Sequence, residues 1–328
     1  MFLFGTSKLI ETQLPWVEKY RPSSLNEIIG QDWIISALKD FVKTKKIPHM
    51  IFTGPGGTGK TSTAFALAKD LLGKDFTSDK ILELNASDNV RMETVQNEIK
   101  VFSSTMGLNG PNEFKLIILD EADNIPREPQ QALRRIIEKS PSYVKFILMC
   151  NYENRLIDPI KSRCALFRFT KLPKEKVIER LKIIAKSENL NMKKEFFETI
   201  YKLSEGDMRQ AVNLFQMASL IDFSKDPNYN TLYKITGFME IDIFKNLIKL
   251  IQERSFIKAS ELLNANLGFS GRNFLIQLSE WINESGISDE KKALIMEAIG
   301  EIDFRITLDS NEFIQYQTLI GFLIENLF

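Results

Sequence analysis

Gly54, Gly59, Lys60 and Thr61 stand in the order G-x-x-x-x-G-K-[ST], directly after the apolar run HMIF and directly before a stretch of helical periodicity. That pattern builds an anion site. Glycines let the backbone turn tightly so that successive N–H groups point inward, and the helix starting near Lys60 adds its own unpaired N–H groups and the positive end of its dipole. Lys60 reaches the outer phosphates of a nucleoside triphosphate, and the Thr61 hydroxyl is suited to a magnesium ion. Pro55, Gly56, Gly57 and Thr58 complete the loop, and Ser62 follows in the first helical turn.

Asp120 and Glu121 close the run LIILDE. An aspartate at the end of a nearly all-apolar strand lies where ligands sit in open α/β sheets and can hold Mg2+ through water. The adjacent Glu121 can polarise an attacking water. Asn151 closes the apolar run VKFILMC, and an amide there can sense the terminal phosphate or orient the water. Read on spacing alone, Asn151 is equally well a turn former.

These residues need a scaffold, and the sequence supplies one. Short runs rich in β-branched residues and Phe appear at MIFTG, ILELNA, KLIILD, VKFILMC and LFRFT. Helical periodicity fills 60–72, 92–102 and 128–139 between the first four. Strands alternating with helices predict an α/β fold, a parallel five-stranded sheet covered on both faces. After Pro173 the period stays helical through KEKVIERLKIIAK, KKEFFETIYKLS and DMRQAVNLFQMASLI. The polar run DFSKDPNYN, 222–230, reads as a boundary. Beyond it FKNLIKLIQE, FIKASELLNA, RNFLIQLSEWINE, SDEKKALIMEAIGEIDFRI and the stretch from Glu312 all predict helices.

Bulk properties narrow the function further. The 328 residues suggest two or three domains at roughly 100–200 residues each. Lys+Arg and Asp+Glu are both 43, which argues against a polycation coating nucleic acid by bulk charge but leaves room for a local basic stripe. The single histidine, His49, excludes a multi-histidine metal site and makes a Ser-His-Asp triad a poor reading; its place before an apolar strand predicts a structural role. Cys150 and Cys164 form no Cys-x-x-Cys pair and read as reduced thiols. The N-terminus lacks a signal-peptide pattern, and no run reaches the ~18–20 apolar residues of a membrane span, so a soluble intracellular protein is expected.

Seven stretches carry a resemblance: PWVEKYRP (15–22), GPGGTGKTS, LNASD (84–88), ILDEAD (118–123), QQALRR (130–135), SRC (162–164) and GDMRQAVN (206–213). In this order and spacing they resemble the motif series of replication factor C small subunits, the AAA+ clamp loaders of eukaryotes and archaea. The resemblance spans at least 14–216. It is fainter beyond, although EIDFRITLDSNEFIQYQTLIGFL is similar to the family's collar. It implies a RecA-like AAA+ ATPase domain over 1–172, a helical lid over 173–226 and an all-helical collar over 227–328. It also implies a hetero-pentameric ring of clamp-loader subunits. ATP and Mg2+ are the expected cofactors. A sliding clamp and primer-template DNA are the expected partners, in replication and repair. The expected location is the nucleus in a eukaryote or the cytoplasm in an archaeon, with no membrane association.

Carried onto this sequence, the family places Val17, Tyr20, Arg21, Pro22, Ile28 and Ile29 around the adenine. Lys60, Thr61, Asp120 and Glu121 keep the roles given above. The resemblance makes Asn151 the first phosphate sensor and Arg209 a second sensor from the lid. It makes Arg163 an arginine finger that serves the neighbouring subunit's nucleotide. Two departures stand out. Gly56 replaces a usual proline in the loop. After LNASD the run Asn89-Val90-Arg91-Met92, with Gln96 where an arginine is usual, thins the basic character of a helix that faces DNA in the family. Arg91 and Lys100 are the remaining DNA candidates, and Phe102, Met106 and Leu108 the clamp-contact candidates; each reads equally well as an ordinary surface charge or packing residue. Two other functions compete. A branch-migration motor of the same superfamily needs a winged helix at the C-terminus, for which no hairpin signal is present. A non-hydrolysing ATP-binding scaffold sits poorly with an intact Asp120–Glu121 pair.

Overall fold

The structure, a computed structural model, describes residues 14–73, 76–77, 79–86, 92–104, 114–220, 230–266 and 268–327. The chain divides into two compact units between Ser219 and Leu220. The boundary expected at 222–230 falls almost wholly outside the described residues.

The first unit is built on five parallel strands: β1 His49–Thr53, β2 Ile81–Asn85, β3 Lys115–Asp120, β4 Val144–Cys150 and β5 Cys164–Arg168. Their order is β2-β3-β4-β1-β5, all parallel. Successive residues alternate between faces, as strand geometry requires. Met50, Phe52, Leu116, Ile118, Ile147 and Met149 enter one core with Leu38 and Leu67, and Ile51, Ile117, Leu119, Phe146 and Leu148 enter another with Leu133 and Ile137. Leu38 lies on α2 (Asp32–Thr44) and Leu67 on α3 (Lys60–Leu72); Leu133 and Ile137 lie on α5 (Arg127–Lys139). Before them comes the short α1, Trp16–Lys19, and between β2 and β3 lies α4, Met92–Ser104. Burial on both faces is why the middle strands read as unbroken apolar runs.

β5 begins and ends two residues earlier than the expected LFRFT stretch. The extended chain does continue, since the Phe169 N–H donates to the Thr53 carbonyl at 2.7 Å. Pairing stops there because β1 ends at Thr53, where its chain turns into the phosphate loop. A four-residue helix, α6 (Asp158–Lys161), precedes β5. Three helices complete the unit: α7 Lys174–Ser187, α8 Lys194–Ser204 and α9 Met208–Ser219. They pack around Phe215, which is fully buried against Phe196 and Phe197.

The second unit is helical throughout its described residues: α10 Asn230–Thr236, α11 Ile241–Gln252, α12 Phe256–Ala265, α13 Gly271–Glu284, α14 Asp289–Thr307 and α15 Glu312–Asn326. Its core gathers Phe244, Leu247, Leu263, Phe274, Leu278, Ile295, Tyr316 and Leu319. Gly271 is required where it stands, because a Cβ there would lie 1.9 Å from the Tyr316 hydroxyl oxygen. Gln277 closes a reciprocal pair with the Met239 backbone, accepting at 3.2 Å and donating at 3.1 Å. Among the described residues no helix is long and apolar enough to cross a membrane.

Candidate functional site: a phosphate loop under a helical lid

The phosphate loop joins β1 to α3. Gly54, Gly57 and Gly59 have φ of 143°, 66° and 96°, a region that side chains with a Cβ disfavour. Gly54 is also pressed against β5, since a Cβ there would sit 2.2 Å from the Phe169 carbonyl oxygen. Inside the loop the Lys60 ammonium donates to the carbonyls of Gly54 (2.6 Å) and Pro55 (2.8 Å) and to Asn151 Oδ1 (3.0 Å). Burial pushes its pKa below the ordinary lysine value; Asp120, Cys150 and Asp123 oppose that shift and Arg209 adds to it.

Thr61 Oγ1 donates to Asp120 Oδ2 at 3.2 Å, so a hydroxyl and a carboxylate converge at the end of β3. Glu121 follows with φ 52°, a left-handed conformation uncommon outside glycine, and its N–H donates to Asp120 Oδ1 at 2.8 Å. The Glu121 carboxylate accepts from the Asn124 amide at 3.0 Å. Behind Asn151, the buried Asp123 accepts from the Asn151 and Tyr152 N–H groups at 3.2 and 3.1 Å.

A cavity opens beside the loop. Its walls include Gly56–Ser62, Asp120, Glu121, Asn151, Arg209 and the six adenine candidates Val17, Tyr20, Arg21, Pro22, Ile28 and Ile29. Gly54 and Pro55 are not walls of it; their carbonyls serve Lys60. The lid braces the wall that carries these six residues. Arg180 on α7 donates to the Tyr20 carbonyl at 2.7 Å, and Glu188 accepts from both Lys19 and the Tyr20 hydroxyl at 2.6 Å. Gln216 on α9 accepts from the Trp16 N–H at 2.9 Å, and the Trp16 ring packs edge-on to Phe215 at 5.2 Å.

The lid also touches the loop. The Met208 N–H donates to the Gly57 carbonyl at 3.0 Å. Asp207, which caps α9 by accepting from the Gln210 N–H at 2.9 Å, lies so close that a Cβ on Gly57 would be 1.8 Å from its carboxylate. A Cβ at Gly56 would find only Asp207 within 4 Å, at an ordinary 3.9 Å.

Arg163 lies apart from the cavity, after α6. It pairs with Glu138 on α5 at 2.5 Å and donates to the Pro159 carbonyl at 2.7 Å. Lys100 is exposed on α4. Phe102 is half-buried against the sheet core, with the Lys115 ammonium 4.9 Å above its ring. Arg91, Met106 and Leu108 lie outside the described residues. His49 accepts from the Phe146 N–H at 3.2 Å within the sheet. Burial pushes the thiols of Cys150 and Cys164 up to about 11 and about 12, so neither is a thiolate at neutral pH.

Four residues that shape the site were not singled out from the sequence: Gln31, Asp123, Arg180 and Asp207. Gln31 is buried and donates to the Thr170 and Thr58 carbonyls at 2.8 and 3.4 Å, tying the loop to the chain after β5. For Asp123 and Asp207 a local signal existed, since both lie within motifs read for another residue. Gln31 ends the stretch EIIGQ that carries Ile28 and Ile29; for Arg180 there was no local signal, because its partner Tyr20 lies 160 positions away.

A parallel sheet with a phosphate loop after β1, an acidic pair after β3 and a polar residue after β4, roofed by a helical lid, defines the AAA+ class of nucleotide-binding proteins. Solved structures agree at the level of the fold. The Thermotoga maritima RuvB Holliday junction branch migration motor superposes with a TM-score of 0.55 at 19% identity, covering 76% of this chain and 86% of that one. Family profiles match in three places: DNA polymerase III, delta subunit, over 30–173; RCF1/5-like, AAA+ ATPase lid domain, over 179–220; and replication factor C C-terminal domain over 240–321. The chain is 42% identical over 312 residues to the replication factor C small subunit of Methanococcus maripaludis strain S2, covering 94% of this chain and 98% of that protein. It is 41% identical to those of Sulfurisphaera tokodaii (95% and 95% covered) and Archaeoglobus fulgidus (94% and 96%). The chain belongs to the replication factor C small-subunit family.

Proposed function

We propose that this chain is an ATP-hydrolysing subunit of a clamp loader, working in a ring with related subunits to open a sliding clamp and place it on primer-template DNA. The observation that carries the reading is the convergence of Lys60, Thr61, Asp120, Glu121, Asn151 and Arg209 on one cavity whose far wall is built from Val17, Tyr20 and Ile28. The apolar wall takes the adenine, and the loop N–H groups, Lys60 and Arg209 take the phosphates. Thr61 and Asp120, a converging hydroxyl and carboxylate, are hard oxygen donors of the kind Mg2+ prefers and would hold it. Bound there, the ion supplies neutralising charge at the outer phosphates. Glu121 polarises the attacking water, Asn151 fixes the terminal phosphate, and Arg163 reaches the nucleotide of the adjoining subunit.

The test is co-purification with candidate partner subunits, then ATPase measurement with and without clamp and primed DNA. Marked stimulation by both together is expected. Glu121→Gln should retain ATP binding and lose at least about 100-fold in kcat, the lower range for a general base. Arg163→Ala should leave nucleotide affinity of the isolated chain unchanged and cost the adjacent site about 1000-fold. Weakened ATP binding by isolated Arg163→Ala would remove the assignment to the neighbour's site.

A further inference from the structure

We infer that Asp123 is a positioning residue for hydrolysis, setting the height of Asn151 at the phosphate site by holding the Asn151–Tyr152 backbone in a two-bond grip. The inference rests on the ATPase reading above. Asn151 and Tyr152 are the first residues past β4, where main-chain N–H groups leave the sheet ladder and need new acceptors. One carboxylate oxygen, Asp123 Oδ2, accepts both, at 3.2 and 3.1 Å. Asp123 is 7% exposed, and a buried carboxylate is tolerated only when such donors compensate it.

The Asn151 side chain is held from the opposite side, by Lys60 at 3.0 Å. Asn151 is therefore pinned at both ends, its backbone on Asp123 and its amide oxygen on the phosphate-loop lysine. Asp123 lies in the single turn Ala122–Asn124, which starts one residue after Glu121. That turn ties the acidic pair at the end of β3 to the sensor at the end of β4. Asp123 is not among the cavity walls, so its hydrogen bonds reach the site through the Asn151 backbone, while its charge also favours the charged form of Lys60. A misplacement of about 1 Å at a reacting group can cost on the order of 100-fold in rate.

The experiment is single-turnover hydrolysis and fluorescent ATP-analogue binding on the full chain assembled with its partner subunits. Asp123→Ala is expected to bind the analogue within about threefold of wild type and to lose about 10- to 100-fold in kcat. Asp123→Asn, which keeps an acceptor oxygen in place, is expected to recover to within about threefold of wild type. Asp123→Glu, which keeps the charge but moves the acceptor by one methylene, is expected to stay impaired. Asn151→Ala with Asp123→Ala is expected to be no slower than Asn151→Ala alone, because the two act as one unit. Multiplied losses in the double variant, or an Asp123→Asn protein that binds the analogue but remains as slow as Asp123→Ala, would overturn the inference. Should Asp123→Ala fail to fold, the Asn and Glu variants decide: equal activity in both overturns it. A wild-type ring that binds no ATP defeats the underlying reading, whereas a wild-type ring that hydrolyses ATP no faster than Asp123→Ala defeats only this inference.

Discussion

His49 is the one histidine in the chain and sits at the start of β1, its Nδ1 accepting from the Phe146 N–H. Burial, with Lys145 nearby, pushes its pKa down to about 4 from the ordinary 6.5. Because the folded value lies below the unfolded one, folding favours the neutral ring. The stability this contributes is full above pH 6.5 and is lost as pH falls from 6.5 towards 4. For a half-buried ring, residual solvent screening discounts the linkage to about 1–2 kcal/mol. His49→Asn keeps an acceptor near the same position without a titrating ring. Denaturant melts from pH 7 to pH 4 should show the variant losing less stability than wild type across that window. Parallel curves would mean that His49 titrates normally in the folded state.

At the scale of elements, the strands were the most legible part of the sequence. β3 and β4 are buried on both faces, so KLIILD and VKFILMC carry their burial in composition alone. The phosphate loop was legible because its chemistry is local: glycines, a lysine and a threonine within one turn of chain. α2, with its buried stripe of Ile34, Ile35 and Leu38, and the short α10 lie outside the stretches whose periodicity predicts helix. The contacts that assemble the site were invisible for a physical reason. Arg180 meets Tyr20 across 160 positions and Gln31 meets Thr170 across 139, and no local pattern encodes such pairings. Those contacts give the lid an expected effect on affinity. Arg180→Ala removes the charged donor that holds α1 and its following turn against α7. A hydrogen bond from a charged group is worth about 1.5–3 kcal/mol, so ATP affinity should fall by about tenfold or more with kcat in the assembled ring unchanged. Unchanged affinity in a titration with a fluorescent ATP analogue would show that the cavity wall around Tyr20 stands without the lid.

At the scale of the molecule, each unit owns a separate core. The walls of the nucleotide cavity all lie between Trp16 and Val212, within the unit that ends at Ser219. The helical unit has its own buried set from Met239 to Leu327, including the satisfied Gln277–Met239 pair and the Tyr316 hydroxyl bonded to Glu312 at 2.6 Å. Among the described residues the buried clusters given for the two units share no member, as expected of pieces that fold alone. A fragment ending at residue 220 should therefore melt cooperatively and bind Mg-ATP. At a ligand concentration of about 100 times Kd, its stability should rise by about 2.7 kcal/mol. A fragment of residues 230–328 should be helical by circular dichroism, melt cooperatively, and show no shift with Mg-ATP. If the first fragment melts cooperatively yet fails to bind, the cavity depends on residues outside its own unit. If the second melts without cooperativity, its core needs the rest of the chain, and the independence argued from the two buried sets fails.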